Sequence, residues 1–157
     1  MGITATICET PVSMNTALAG MKHLNRLDNV LARNEWNDSA VAEGFMFDNQ
    51  GHIIEGTMSN VFCVLGTELY SPLLEQCGVA GVMRQKVIDI AGTLNIPVNI
   101  VDISKDNFLQ MDAVFITNSL IGIWPVKKII DGENSVQFQQ SELIDDIKQK
   151  FLQIISV

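Results

Sequence analysis

Two pairs of short apolar runs, each reversed about a glycine, most constrain what this 157-residue chain can fold into. Glu43 to Asp48 and His52 to Glu55 flank the tight turn Asn49-Gln50-Gly51, and Asn60 to Leu65 and Glu68 to Tyr70 flank Gly66. Short runs rich in Val, Ile and Phe that turn back at such residues form antiparallel hairpins. A strand over Ile3 to Cys8 precedes them, and strands over Pro97 to Asp102 and Ala113 to Thr117 follow. Helical spacing appears in between. Leu24, Leu27 and Leu31, with Val30, predict a helix from about His23 to Trp36 with that stripe in the core. Gly81 opens a second helix whose face is Val82, Met83, Val87, Ile90 and Leu94. Ser141 caps a last one carrying Leu143, Ile144, Ile147, Phe151 and Ile154. Met14 to Met21 and Ser71 to Ala80 read as loops, Lys105 to Gln110 as a helical turn, and Asn118 to Gly122 and Asp131-Gly132 as turns. Hairpins with helices interposed exclude the strict alternation of a doubly wound sheet and predict a mixed α/β (α+β) domain.

Composition bounds the function. Ten Lys+Arg against 18 Asp+Glu give a net charge of −8, and the isoelectric point near 4.5 excludes a basic nucleic-acid module. Only 18% of residues are charged while 47% are apolar, where about a quarter charged is usual. The length suits a single domain over 1–157, so the apolar surplus needs something to cover it. No uninterrupted apolar stretch is long enough for a membrane helix, and the N-terminus lacks the basic and apolar regions of a secretory signal. Three cysteines, Cys8, Cys63 and Cys77, without a CxxC pair point to reduced thiols in a cytoplasmic protein. The isolated His23 and His52 form no metal cluster.

Four places have residue types suited to chemistry. Lys22, beside Met21 and Leu24, reads either as a solvated lysine at a helix start or as an amine nucleophile able to form a Schiff base. Glu55 closes an apolar strand before Gly56; it is either a strand-end glutamate facing water or a carboxylate placed to hold a protonated ring nitrogen. Gly78 to Arg84 leads into a helix whose first amide groups suit a phosphate, with Arg84 equally readable as a solvated first-turn residue. Thr117-Asn118-Ser119 follows a buried strand and reads as an ordinary turn or as the polar wall of a site.

Taken together, these stretches resemble a known family. Glu55-Gly-Thr57-Met-Ser-Asn60-Val-Phe62, then Leu69-Tyr-Ser71-Pro72, then Val79-Ala-Gly81-Val82-Met-Arg84 is similar to the signature of the fold type IV pyridoxal-phosphate enzymes, with Ser71 where the group usually has Thr. That group holds branched-chain aminotransferases, D-amino-acid aminotransferases and aminodeoxychorismate lyases. Two further stretches resemble the lyases: Gly20-Met-Lys22-His-Leu-Asn25-Arg26-Leu27, where branched-chain aminotransferases carry a Tyr soon after the lysine, and Thr117-Asn118-Ser119-Leu120-Ile-Gly122-Ile-Trp124-Pro125-Val126. The resemblance covers Ile3 to about Gly132.

The resemblance implies a pseudo-barrel of mostly hairpin-connected strands with flanking helices, the large C-terminal domain of such enzymes. It implies pyridoxal 5'-phosphate as cofactor. Lys22 would bond it and shuttle protons, Glu55 would pair with the pyridine nitrogen, and the backbone of Val82 and Met83 together with Ser119 would hold the phosphate. Asn118 would line the substrate side. It also implies a homodimer and the conversion of 4-amino-4-deoxychorismate to 4-aminobenzoate and pyruvate for folate synthesis. An aminotransferase of the same fold and a non-catalytic remnant domain are the alternatives. Family members carry an N-terminal domain ahead of this segment, so the chain is expected to be the C-terminal domain alone and catalytically incomplete.

Overall fold

Strand Asn60–Leu65 shows how this sequence makes a sheet buried on both faces. Val61 and Cys63 point into one apolar cluster, Phe62 and Val64 into another, and all four are buried. Period-two alternation with both sides apolar is what an internal strand requires.

The computed structural model describes residues 2–155. In chain order the elements are β1 (Ile3–Ile7), α1 (Leu27–Arg33), β2 (Val41–Phe47), β3 (Ile53–Gly56), β4 (Asn60–Leu65), β5 (Glu68–Pro72), α2 (Val82–Thr93), β6 (Val98–Val101), α3 (Lys105–Leu109), β7 (Ala113–Asn118), β8 (Gly122–Asp131), β9 (Asn134–Gln137) and α4 (Glu142–Ile155). The strands form one mixed sheet in the order β3-β2-β1-β8-β7-β4-β5-β6, with β9 on β8. β1 runs parallel to both neighbours and β5 parallel to β6; the other pairs are antiparallel. The chain just past β6 returns to the opposite end of the sheet, where the Ile53 amide donates to the Ile103 carbonyl at 2.9 Å. The sheet is therefore curled into a half-barrel with helices against it, as the resemblance implies.

The concave side holds Phe45, Phe47, Ile53, Val114, Ile116 and Phe108 from α3, with Phe108 meeting Phe45 edge-on at 5.1 Å between ring centres. The other side packs Phe62 and Phe115 under α2 and α4. These two rings lie directly across the β4–β7 ladder and stack at 5.1 Å. A third cluster, with Trp36, Ala32 and Cys8, seats α1 on β2.

Two expectations need correction. The helix expected over His23 to Trp36 spans only Leu27–Arg33. Its stripe is not core: Leu24, Leu27, Val30 and Leu31 are 101%, 63%, 54% and 50% exposed. The side of α1 that meets the sheet is marked by buried Ala32 and by Asn29, whose side-chain amide donates to the Thr57 carbonyl at 3.1 Å. Arg26 has non-helical backbone angles (φ −116°, ψ 28°), so the chain before Leu27 leaves the helix path. The second correction is at the far end. β8 and β9 stand where turns alone were expected, and β8 bridges the sheet by pairing with β7, β1 and β9.

Candidate active site

The rim of the half-barrel gathers four chain ends. β3 ends at Gly56, β4 starts at Asn60, β7 ends at Asn118 and α2 starts at Val82. Asn60 pairs with Thr117 across the β4–β7 ladder, so the second and third are neighbours by register. Between these ends lies a cavity of about 400 Å³. All six residues singled out from the sequence line it: Lys22, Glu55, Val82, Met83, Asn118 and Ser119.

Glu55 is the most deeply placed of them, 3% exposed. Its Oε2 accepts from the Val79 amide at 2.8 Å and its Oε1 from Arg26 Nη2 at 3.2 Å. Burial pushes the carboxyl pKa up, and the Arg26 charge and these hydrogen bonds only partly oppose it. A buried carboxylate of this kind suits a cationic ligand group that would share its charge. Lys22 lines the same cavity and is exposed.

The start of α2 forms another wall. Gly81 is its N-cap residue, with no side-chain cap on the first turn. The first-turn amides, Val82 and Met83 among them, have no acceptor within the helix, and the helix dipole makes this end favourable for an anion. Ser119 lines the same cavity and is exposed. Asn118 lines the cavity, but its amide is committed to the fold: Nδ2 donates to the Met58 carbonyl at 3.0 Å, and Oδ1 accepts from the Leu120 and Ile121 amides. Arg84 turns away from the cavity, donating from Nε to Ser71 Oγ at 3.1 Å and from Nη2 to the Pro72 carbonyl at 3.0 Å. Ser71 in turn donates to the Val61 carbonyl.

Three residues had no assigned role. Arg26 stands between the main cavity and a smaller one of about 160 Å³ behind Glu55; both Arg26 and Glu55 line both spaces. Asn60 clamps the loop before α2. Glu43 is fully buried beneath the Thr57–Ser59 turn, accepting from the amides of Gly44 and Thr57 and the hydroxyls of Thr57 (2.6 Å) and Ser59 (2.7 Å). A charged residue in the apolar run Val41-Ala-Glu43-Gly-Phe45 was the available signal for Glu43, since carboxylates are seldom fully buried without partners.

All three cysteines are free and buried. Burial pushes the thiols of Cys8 and Cys77 to about 12 and about 11, which keeps them protonated and unreactive near neutral pH. Among the described residues no cluster could hold a metal ion, and no helix is long and apolar enough to cross a membrane.

This half-barrel, with a lysine, a buried glutamate and a helix N-terminus about one cavity, has clear relatives. The family model of class IV aminotransferases matches residues 3–129. An aminodeoxychorismate lyase of Vibrio harveyi is 37% identical over 142 residues, 90% of this chain and 52% of that one. A D-alanine aminotransferase of Listeria monocytogenes serotype 1/2a is 27% identical over 136 residues, 87% of this chain and 46% of that one. The crystal structure of 4-amino-4-deoxychorismate lyase from Pseudomonas aeruginosa superposes with a TM-score of 0.92 at 38% identity, covering 99% of this chain and 56% of that chain. The chain belongs to the class IV aminotransferase family, whose aminotransferases and aminodeoxychorismate lyases are pyridoxal-phosphate enzymes. It spans about half the length of the curated relatives it matches.

Proposed function

We propose that this domain is the cofactor-bearing part of an aminodeoxychorismate lyase, which converts 4-amino-4-deoxychorismate to 4-aminobenzoate and pyruvate. The observation that carries the proposal is the convergence of Lys22, Glu55 and the open start of α2 on a single cavity. The residues fit the cofactor by their chemistry: an amine to bond it, a buried carboxylate in need of a cationic partner, and free helix amides for its phosphate. Bound pyridoxal phosphate supplies an electron sink for the carbon that carries the substrate's amine. Lys22 would provide the amine that holds the cofactor and, as a free amine, would take the proton from the carbon that carries the substrate's amine. Glu55 would pair with the ring nitrogen, while the backbone of Val82 and Met83 together with Ser119 would hold the phosphate. With that proton gone, the ring carbon–oxygen bond would break, enolpyruvate would leave and take up a proton to become pyruvate, and the substrate ring would become aromatic. Asn118 shapes the substrate side by holding the Met58 turn in place.

The lyase reading over an aminotransferase is supported by the identity to the Vibrio and Pseudomonas lyases, 37% and 38%, against 33% to a putative branched-chain-amino-acid aminotransferase and 27% to the D-alanine aminotransferase. The segment Arg26-Leu27, where the resemblance gives branched-chain aminotransferases a Tyr soon after the lysine, supports it from within the site. Met58, Val82 and Leu120 line the cavity and are exposed, which supports a full site shared with further protein, a dimer partner and the remaining half of the relatives' length included. Turnover is therefore proposed for the natural polypeptide that carries this domain. Supplied with 4-amino-4-deoxychorismate, that polypeptide should release 4-aminobenzoate and pyruvate without a second substrate. Amino-group transfer from D-alanine or a branched-chain amino acid to 2-oxoglutarate, with no 4-aminobenzoate, would establish the aminotransferase instead.

A further inference from the structure

The four residues between the last loop and α2, Gly78 to Gly81, have no helix or ladder of their own, yet most of their backbone polar groups are engaged. The Gly78 carbonyl accepts from the Gly20 amide at 2.9 Å, and the Ala80 amide donates to the Gly20 carbonyl at 3.0 Å, two residues before Lys22. The Val79 amide donates to Glu55 Oε2 at 2.8 Å. Asn60 takes the remaining pair: its Nδ2 donates to the Val79 carbonyl at 2.6 Å and its Oδ1 accepts from the Gly81 amide at 3.1 Å. One residue, Val79, is thus held through its amide by Glu55 and through its carbonyl by Asn60.

The local sequence is fitted to this clamp. Gly78 has φ +83°, a left-handed conformation, and a Cβ there would meet Ile54 and Leu74 at 2.8 Å. Gly81 has an ordinary φ of −68°, so its backbone does not require glycine. The space does, because a Cβ would collide with Asn60 Oδ1. Asn60 itself is 7% exposed. By binding the Gly81 amide it fixes the start of α2 and leaves the amides of Val82 and Met83 open.

We infer that Asn60 is the positioning residue that ties the anion-binding start of α2 to the Glu55 carboxylate through the Gly78–Gly81 strap. The distance between the phosphate end and the ring-nitrogen end of the seat is then set by Asn60, and with it the preference for a phosphorylated ring ligand over its unphosphorylated form. The inference rests on the reading of this cavity as a cofactor seat.

Two variants test it on the 157-residue chain. Asn60→Ala removes both amide bonds; Gly81→Ala keeps Asn60 but displaces it from the clamp. Without ligand, hydrogen exchange at the Val79 and Gly81 amides should accelerate about tenfold or more in both variants, with Phe62 and Val64 in β4 unchanged. Unchanged exchange at Val79 would overturn the coupling. With ligand, the ratio of pyridoxal to pyridoxal-phosphate dissociation constants should fall about tenfold in both variants; general loosening of the fold weakens both ligands and leaves the ratio alone. A wild-type preference that survives intact in both variants would overturn the inference while leaving the cofactor seat standing. A wild-type chain without any preference for the phosphorylated ligand would overturn the seat and the specificity it was inferred to set, and the exchange rates alone would then decide the clamp.

Discussion

Arg26 Nη2 stands 3.2 Å from Glu55 Oε1, and the pair forms the partition between the cavity at the barrel rim and the smaller space behind it. Arg26 is the only cation with an ion pair to Glu55 among the described residues, and its charge opposes the rise that burial imposes on the carboxyl. Replacing it by Met should therefore raise the Glu55 pKa further. The carboxyl carbon shift of Glu55, followed by NMR across pH in the ligand-free chain, should show the midpoint higher in Arg26→Met and restored toward wild type in Arg26→Lys. An unmoved midpoint in Arg26→Met would show that the pair has no hold on the charge.

Glu55 also makes the ligand-free fold depend on pH. Its folded pKa lies above the ordinary 4.5, so the fold binds this proton more tightly than the unfolded chain does. The resulting stability is complete below the ordinary value and is lost as pH rises through the folded one. Once ionised, the side chain thus weakens the fold relative to its neutral form, an effect that the Arg26 charge only partly opposes. Without cofactor, the melting temperature of wild type relative to Glu55→Gln should fall as pH rises from 4 through the folded value. A difference that stays the same across pH, or that grows in favour of wild type as pH rises, would contradict this.

Glu43 should act in the opposite sense. Its two oxygens face only donors, from Gly44, Thr57 and Ser59. A glutamine there turns one acceptor into an amide that confronts them. Glu43→Gln should cost about 2–3 kcal/mol in urea unfolding. It should also weaken pyridoxal-phosphate binding, because the Thr57–Ser59 turn lines the cavity. A loss below about 0.5 kcal/mol would mean that the network is dispensable.

What the sequence disclosed followed from how local each signal was. β4 appears at Asn60–Leu65 as expected, because alternating apolar residues and Gly66 specify a hairpin without reference to distant chain. β8 escaped notice because Trp124-Pro125 and Lys127-Lys128 break any period-two pattern; its buried residues recur every third position, at Ile123, Val126 and Ile129. The stripe Leu24, Leu27, Leu31 matched a helical template equally well whether it faced the core or outward, and spacing alone does not carry that distinction. At the site, Glu55, Gly81 to Met83 and Thr117 to Ser119 were visible as a motif in one family's order. The work of Arg26, Asn60 and Glu43 depends on partners 29, 19 and 14 residues away, a pairing that exists only once the sheet has curled.

Lys22 and Glu55 line one cavity, and whether that cavity seats the cofactor is tested most directly by chemistry. The chain is incubated with pyridoxal phosphate, reduced with borohydride, digested and read by mass spectrometry. The peptide containing Lys22 should carry a reduced pyridoxyl-phosphate adduct, absent in Lys22→Ala and weakened in Glu55→Ala. Labelling spread over surface lysines such as Lys86, Lys127 and Lys148, with Lys22 no more reactive than they are, would contradict it.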